Sequence, residues 1–139
     1  MSYHAIRTPA FRFQAPVGWK VARSGGLTTA TATHGSELVQ VASFPLARPY
    51  TPALFTKVES ELATRMAQVA NASGGKVTGH SVVTADGIRS HTYTVQVGDH
   101  VDTYVFVLRG KREYQLLCRR ASSDKAGFCD RLVASFRLG

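Results

Sequence analysis

Five histidines, two cysteines and nine carboxylates are the residues from which this chain would have to build a reactive site. Metal ligands and nucleophile-base pairs need particular side chains at particular spacings, and few such spacings occur. His4, His34, His80, His91 and His100 are scattered, with no H-x-H or H-x-x-x-H among them. No Cys-His spacing of a structural metal site is present either. His91 alternates with Tyr93 and Val95, which reads as an inward, hydrogen-bonded histidine; His80 and His100 lie near turns and read as solvent-facing. Serines are available for a Ser/His/Asp triad, but no G-x-S-x-G elbow presents one. The glycine-rich stretches GGLTTAT and SGGKVTG lack the G-x-x-x-x-G-K-[ST] order that cradles phosphate. The four glutamates and five aspartates form no close pair suited to acid-base work. The expectation is a chain that is not an enzyme and uses no cofactor or metal.

Two sets of residues do carry candidate chemistry. Cys118 and Cys129, the only cysteines, fall late in a strand and early in the last helix. A disulfide between them would pin helix to sheet, whereas two buried thiols packing as small hydrophobes is the competing reading. Arg109, Lys111 and Arg112 crowd the segment RGKRE, and with Arg119 and Arg120 they make a candidate basic edge for an anionic partner. The charge is uneven. The formal net charge is +8, and from Arg109 onward eight basic residues, Lys125 among them, face three acids, leaving +5 there. Such an excess suits a protein or an anionic surface as partner. Nucleic acid is disfavoured, because Tyr104, Phe106 and Tyr114 sit on strands that read as covered, not free to stack on bases.

These residues must be positioned by a single domain, since 139 residues can bury one core and leave little for a second. Phe11, Phe13 and Ala15 alternate with polar neighbours as a half-buried strand, Pro16-Val17-Gly18 makes a turn, and Trp19 and Val21 continue. LTTATAT and ELVQVASF read as strands, the second closed by Pro45 and Pro49. A helix is predicted over 52–71, with Thr51 as its cap, Pro52 at its first position and an apolar stripe of Phe55, Val58, Leu62, Met66 and Val69. Glu61 and Arg65 are one turn apart and able to pair. KVTGHSVVT and IRSHTYTVQV flank the turn Ala85-Asp86-Gly87. VDTYVFVLR is apolar on both faces and hence central, and EYQLLCRR returns after a turn at Arg109–Arg112. Asp124 is placed to cap a last helix with the stripe Phe128, Leu132 and Phe136. The layout is α+β: an antiparallel sheet of about six or seven strands sandwiched by one long helix and one short C-terminal helix.

The opening FRFQAPVGW resembles the F-x-F-x-x-P-x-G-W start of PsbP-like domains. VQVASFPL ahead of a helix, GIRSHTYTVQV and VDTYVFVLRGKREYQLLC as strands, and CDRLVASFRL as a last helix follow in the same order. The likeness runs over roughly residues 11–138. It implies residues 1–10 as an N-terminal extension and 11–139 as a single PsbP-like domain, helices on both faces of the sheet, and a non-catalytic binding or accessory role. Members of the family include the extrinsic subunit of plant photosystem II, bacterial lipoproteins and chaperones, which share a fold but no chemistry. The alternative reading is a small-ligand carrier or weak enzyme with a pocket beside Trp19 or the long helix. A monomer or weak dimer is expected. A disulfide would imply an extracytoplasmic home with a leader removed ahead of Ser2; a cytoplasmic one follows if Met1 is the native start.

Overall fold

The structure, a computed structural model, describes residues 1–124 and 127–139. Lys125, counted in the basic excess, and the start of the last helix beside Asp124 lie outside the described residues. Among the described residues nine strands, β1 (Tyr3–Arg7), β2 (Phe11–Pro16), β3 (Lys20–Ser24), β4 (Leu27–Thr31), β5 (Leu38–Tyr50), β6 (Lys76–Ala85), β7 (Ile88–Val97), β8 (His100–Ala121) and β9 (Arg137–Leu138), combine with two helices, α1 (Phe55–Ser73) and α2 (Gly127–Ser135). All strand pairs are antiparallel, in a three-stranded sheet β1-β2-β9 and a larger sheet β3-β4-β5-β8-β7-β6.

β8 is doubled. Twenty-two extended residues would reach about 70 Å if straight, yet the two ends meet. Ser122 donates its amide to the Asp99 carbonyl at 2.8 Å, and the Arg119 guanidinium grips the Asp102 carboxylate. The chain therefore folds back at Gly110-Lys111, where Gly110 takes φ +58° and Lys111 does not turn positive. Glycine at the first central position is the requirement of a type II′ hairpin turn. One arm pairs with β7 (His91 opposite Phe106) and the other with β5 (Val39 opposite Cys118), so the large sheet has seven extended segments.

The helices clad opposite faces of that sheet, because alternate residues of a strand point to opposite sides. Leu62, Met66 and Ala70 of α1 pack on Tyr93, Val95 and Phe106, with Val58 and Val69 at the margin. Truncating Leu62, 1% exposed, to alanine would cost about 2–5 kcal/mol. On the other face Phe128, Cys129 and Leu132 of α2, with Phe11, Phe13 and Ala15 of β2, cover Val39, Val41, Val105, Val107, Leu116 and Cys118. The α+β sandwich is as expected from the pattern.

Several local expectations are corrected. Phe11–Gly18 does not open a hairpin of the main sheet. The turn, with Gly18 at φ +90°, carries the chain from the small sheet to the large one, and Trp19 then packs edge-on against Phe128 at 5.1 Å. Residues 3–7, within the stretch that the resemblance sets before the domain, form β1 on β2 and bury Ile6. β5 does not stop at its prolines: beyond Ala42 it has left β4 and needs donors on one side only, so Pro45 and Pro49 are tolerated. Thr51 stands before a short 3-10 turn (Pro52–Leu54) and makes no side-chain capping bond. α1 runs to Ser73 and ends on Gly74, in the left-handed conformation, whose amide reaches Ala70 and Asn71. Arg65 pairs with the buried Glu113 of β8 at 2.7 Å instead of with Glu61.

Candidate functional site

The start of α1 is where the candidate chemistry gathers. Two hairpin tips reach it. In the β6-β7 hairpin Asp86 and Gly87 both take positive φ, 49° and 75°, a two-residue turn of type I′. The second tip is Gly110-Lys111. Between these tips, the end of β5 and the first turn of α1 lies a cleft of about 400 Å³. Pro52, Phe55, Ile88 and Leu108 form apolar walls, Arg89 and Arg109 stand at the rim, and no carboxylate lines it. The Arg89 guanidinium lies over the Phe55 ring at 4.2 Å, which holds the cation beside the opening. Tyr50 also faces the cleft, and burial pushes its phenol above the ordinary range while Arg89 pulls it partly back.

The five basic residues singled out in the sequence are not one edge. Arg109, Lys111 and Arg112 are exposed at the turn, although the Arg112 guanidinium donates to Ser43 Oγ at 2.6 and 3.1 Å. Arg119 and Arg120 are at the far end of the hairpin arm, about 23 Å away at 3.3 Å per residue. There Arg119 is held by both oxygens of the buried Asp102, at 2.8 and 3.0 Å, and that carboxylate keeps its guanidinium pKa raised. Arg120 is spent on the carbonyls of Ala121, Ser122 and Asp124. The free positive charge of the patch is thus at the tip, next to the cleft.

On the other side of Phe55 the structure assembles a group that linear spacing does not reveal. His80 of β6 and His91 of β7 are diagonal neighbours on the face that α1 covers, because His80 lies opposite Tyr93 and His91 opposite Val82. His80 Nε2 and His91 Nδ1 are 3.0 Å apart. His91 is 2% exposed, stacks on the Phe55 ring at 4.0 Å and donates from Nε2 to the Phe55 carbonyl at 2.8 Å. Glu59, one turn along α1, brings Oε1 to 3.7 Å from His80 and 3.9 Å from His91. His91 is inward and satisfied, as its alternation implies; His80 is exposed, as its place near a turn implies, with one face of its ring against Tyr93. His100, read as solvent-facing, is half-buried beside Asp102.

Cys118 and Cys129 are joined in a disulfide with Cα atoms 5.5 Å apart, tying the second arm of β8 to α2. Trp19 lines neither the cleft at Phe55 nor the second one, of about 370 Å³, on the α2 face between Thr92, Thr103 and Val133. Of the two places read from the sequence for a ligand, beside Trp19 or the long helix, the cleft at Phe55 lies at the start of the long helix. No described helix is long and apolar enough to cross a membrane.

No family model and no curated protein matches the sequence. Solved structures do match the fold. Cyanobacterial PsbP (CyanoP) from Synechocystis sp. PCC 6803 superposes with a TM-score of 0.68 at 18% identity, covering 99% of this chain and 92% of that one. A protein from Bacteroides thetaiotaomicron VPI-5482 superposes with a TM-score of 0.53 at 10% identity, and this chain spans 45% of its length. The near-complete coverage of both chains in the first superposition gives this chain, with its antiparallel sheet and helices, a PsbP-like fold.

Proposed function

We propose that the protein is a non-catalytic accessory module that docks an acidic segment of a partner protein at the cleft between the two hairpin tips. The observation that carries this reading is the composition of the cleft. Apolar walls accept a hydrophobic side chain, Arg89 and Arg109 accept a carboxylate, and Lys111 extends the positive field along the tip. Such complementarity governs encounter rate and partner choice. The likeness to cyanobacterial PsbP favours an accessory role over an enzymatic one. With the disulfide, the reading extends to an oxidising, extracytoplasmic setting.

A second reading, a carrier for a small acidic apolar ligand, draws on the volume of the same cleft, which falls within the size range of small-molecule pockets. Fluorescence anisotropy with labelled peptides rich in Glu and Phe separates the two. The intact protein is expected to bind such a peptide saturably and more weakly as salt rises. The R109E/K111E variant is expected to lose at least about tenfold in affinity, roughly 1.4 kcal/mol, while R23E on the distant β3 retains it. Equal binding by wild type and R109E/K111E would dismiss the cleft. Binding of small aromatic carboxylates in place of peptides would favour the carrier.

A further inference from the structure

We infer that Glu59, His80 and His91 form a binding site for one borderline-soft divalent cation, with Zn²⁺ as the reference case. The argument begins with the tautomer of His91. A carbonyl oxygen only accepts, so the short contact to Phe55 places a proton on His91 Nε2. In the neutral ring Nδ1 is then a bare lone pair, aimed at His80 Nε2 and held in place by burial and by the Phe55 ring. Ligating histidines show this arrangement: the far nitrogen donates to a backbone carbonyl, which fixes the orientation of the near one.

The distances fit an ion. The three ligand atoms are separated by 3.0, 3.7 and 3.9 Å. The point equidistant from all three lies about 2.1 Å from each, within the range of Zn–N and Zn–O bonds. Glu59 Oε1 is too far from either ring nitrogen to share a hydrogen bond, yet it faces the gap between them. The side chains of His80 and Glu59 are 33% and 49% exposed, which leaves an entry path and room for water as fourth ligand. Tyr93 steadies the frame: its hydroxyl donates to the Glu59 carbonyl at 3.3 Å, and its ring packs on His80 at 4.7 Å.

Without an ion, His80 must supply the proton between the two rings, from Nε2 to the lone pair of His91. On binding, that proton passes through solvent to His80 Nδ1, the exposed ring turns, and one shared hydrogen bond gives way to two nitrogen–metal bonds. The ligand set, two imidazoles and a carboxylate, suits Zn²⁺ and its neighbours and does not suit Ca²⁺ or Mg²⁺, which prefer all-oxygen shells.

The test uses tag-free full-length protein and competition with a chromophoric Zn²⁺ indicator. One Zn²⁺ per chain is expected, with a rise in Tm on binding. H80A and E59Q, at partly exposed positions, are each expected to lower the affinity at least about tenfold and to abolish that rise in Tm. H100A is expected to change neither. Circular dichroism of the apo variants keeps the result readable, since a His91 variant would disturb the core. Absence of saturable one-to-one uptake would overturn the inference. So would uptake that survives H80A or E59Q in folded protein, or that is lost equally in H100A.

Discussion

Reduction of the Cys118–Cys129 bond should loosen α2 by a calculable amount. Cys118 sits at the end of the doubled strand and Cys129 in the first turns of α2, 2% and 7% exposed, eleven positions apart. Cross-linking across that separation removes chain entropy from the unfolded state equivalent to about 2.8 kcal/mol at 25 °C. A 139-residue domain unfolds with an entropy of about 290 cal/mol/K near its midpoint. Reduction should therefore lower Tm by about 10 °C. Calorimetric melts of oxidised protein, reduced protein and the C118A/C129A variant measure it. Reduced wild type isolates the cross-link, because both thiols still fill their places. The double alanine variant should melt lower again, since it also leaves two small voids beside Leu116 and Leu132 in the same cluster. The urea m-value should rise on reduction, as the freed chain exposes more surface when unfolded. Hydrogen exchange should quicken in α2 before α1, which packs on the opposite face. A reduced protein melting within about 2 °C of the oxidised one would refute the reasoning, because so small a shift corresponds to well under 1 kcal/mol.

Other consequences are equally open to measurement. R65M strands the Glu113 carboxylate, 5% exposed, without its cation. Breaking a buried pair typically costs about 3–5 kcal/mol, but Arg65 is 38% exposed and water can partly replace it, so about 2 kcal/mol is expected. R65M/E113Q should recover more than half of that by urea denaturation, and an R65M variant within about 0.5 kcal/mol of wild type would contradict the pairing. Glu37 has its carboxyl pKa raised, first by burial and then by the hydrogen bond and charge of Asp124. A raised acid pKa means the folded state holds its proton more tightly than the unfolded one, so stability is lost as pH climbs from the unfolded to the folded pKa. E37Q should thus exceed wild type in urea midpoint at pH 7, with the advantage gone below about pH 4; equal differences at both pH values would disprove the assignment.

What the residues determined alone was local. The three- and four-residue steps of Phe55, Val58, Leu62 and Met66 make α1 one-sided whatever surrounds it. Asp86-Gly87 and Gly110 dictate where the hairpins turn, since few other residues enter positive φ without strain. Val105, Phe106 and Val107 in succession require cover on both faces, and hence a central strand between two layers. Even the histidine pair was implicit in the turn: with Ala85 opposite Ile88, counting outward sets His80 against Tyr93 and His91 against Val82, on one face. Spacing along the chain conceals this, because the two residues are neighbours across the hairpin and not along it. Packing alone decided the rest. Whether Phe11–Pro16 joins the main sheet or a second one depends on which edge is free, and β1 and β9 took β2. Arg65 chose Glu113 over Glu61 because a buried carboxylate gains more from a cation than a solvated one. Glu59 reached the histidines because α1 lies across β6 and β7 at that height, and the basic patch divided because a hairpin arm carries residues ten positions apart to opposite ends. Periodicity and turn chemistry act through bonds and sterics within a few residues, whereas these contacts exist only after distant segments have packed.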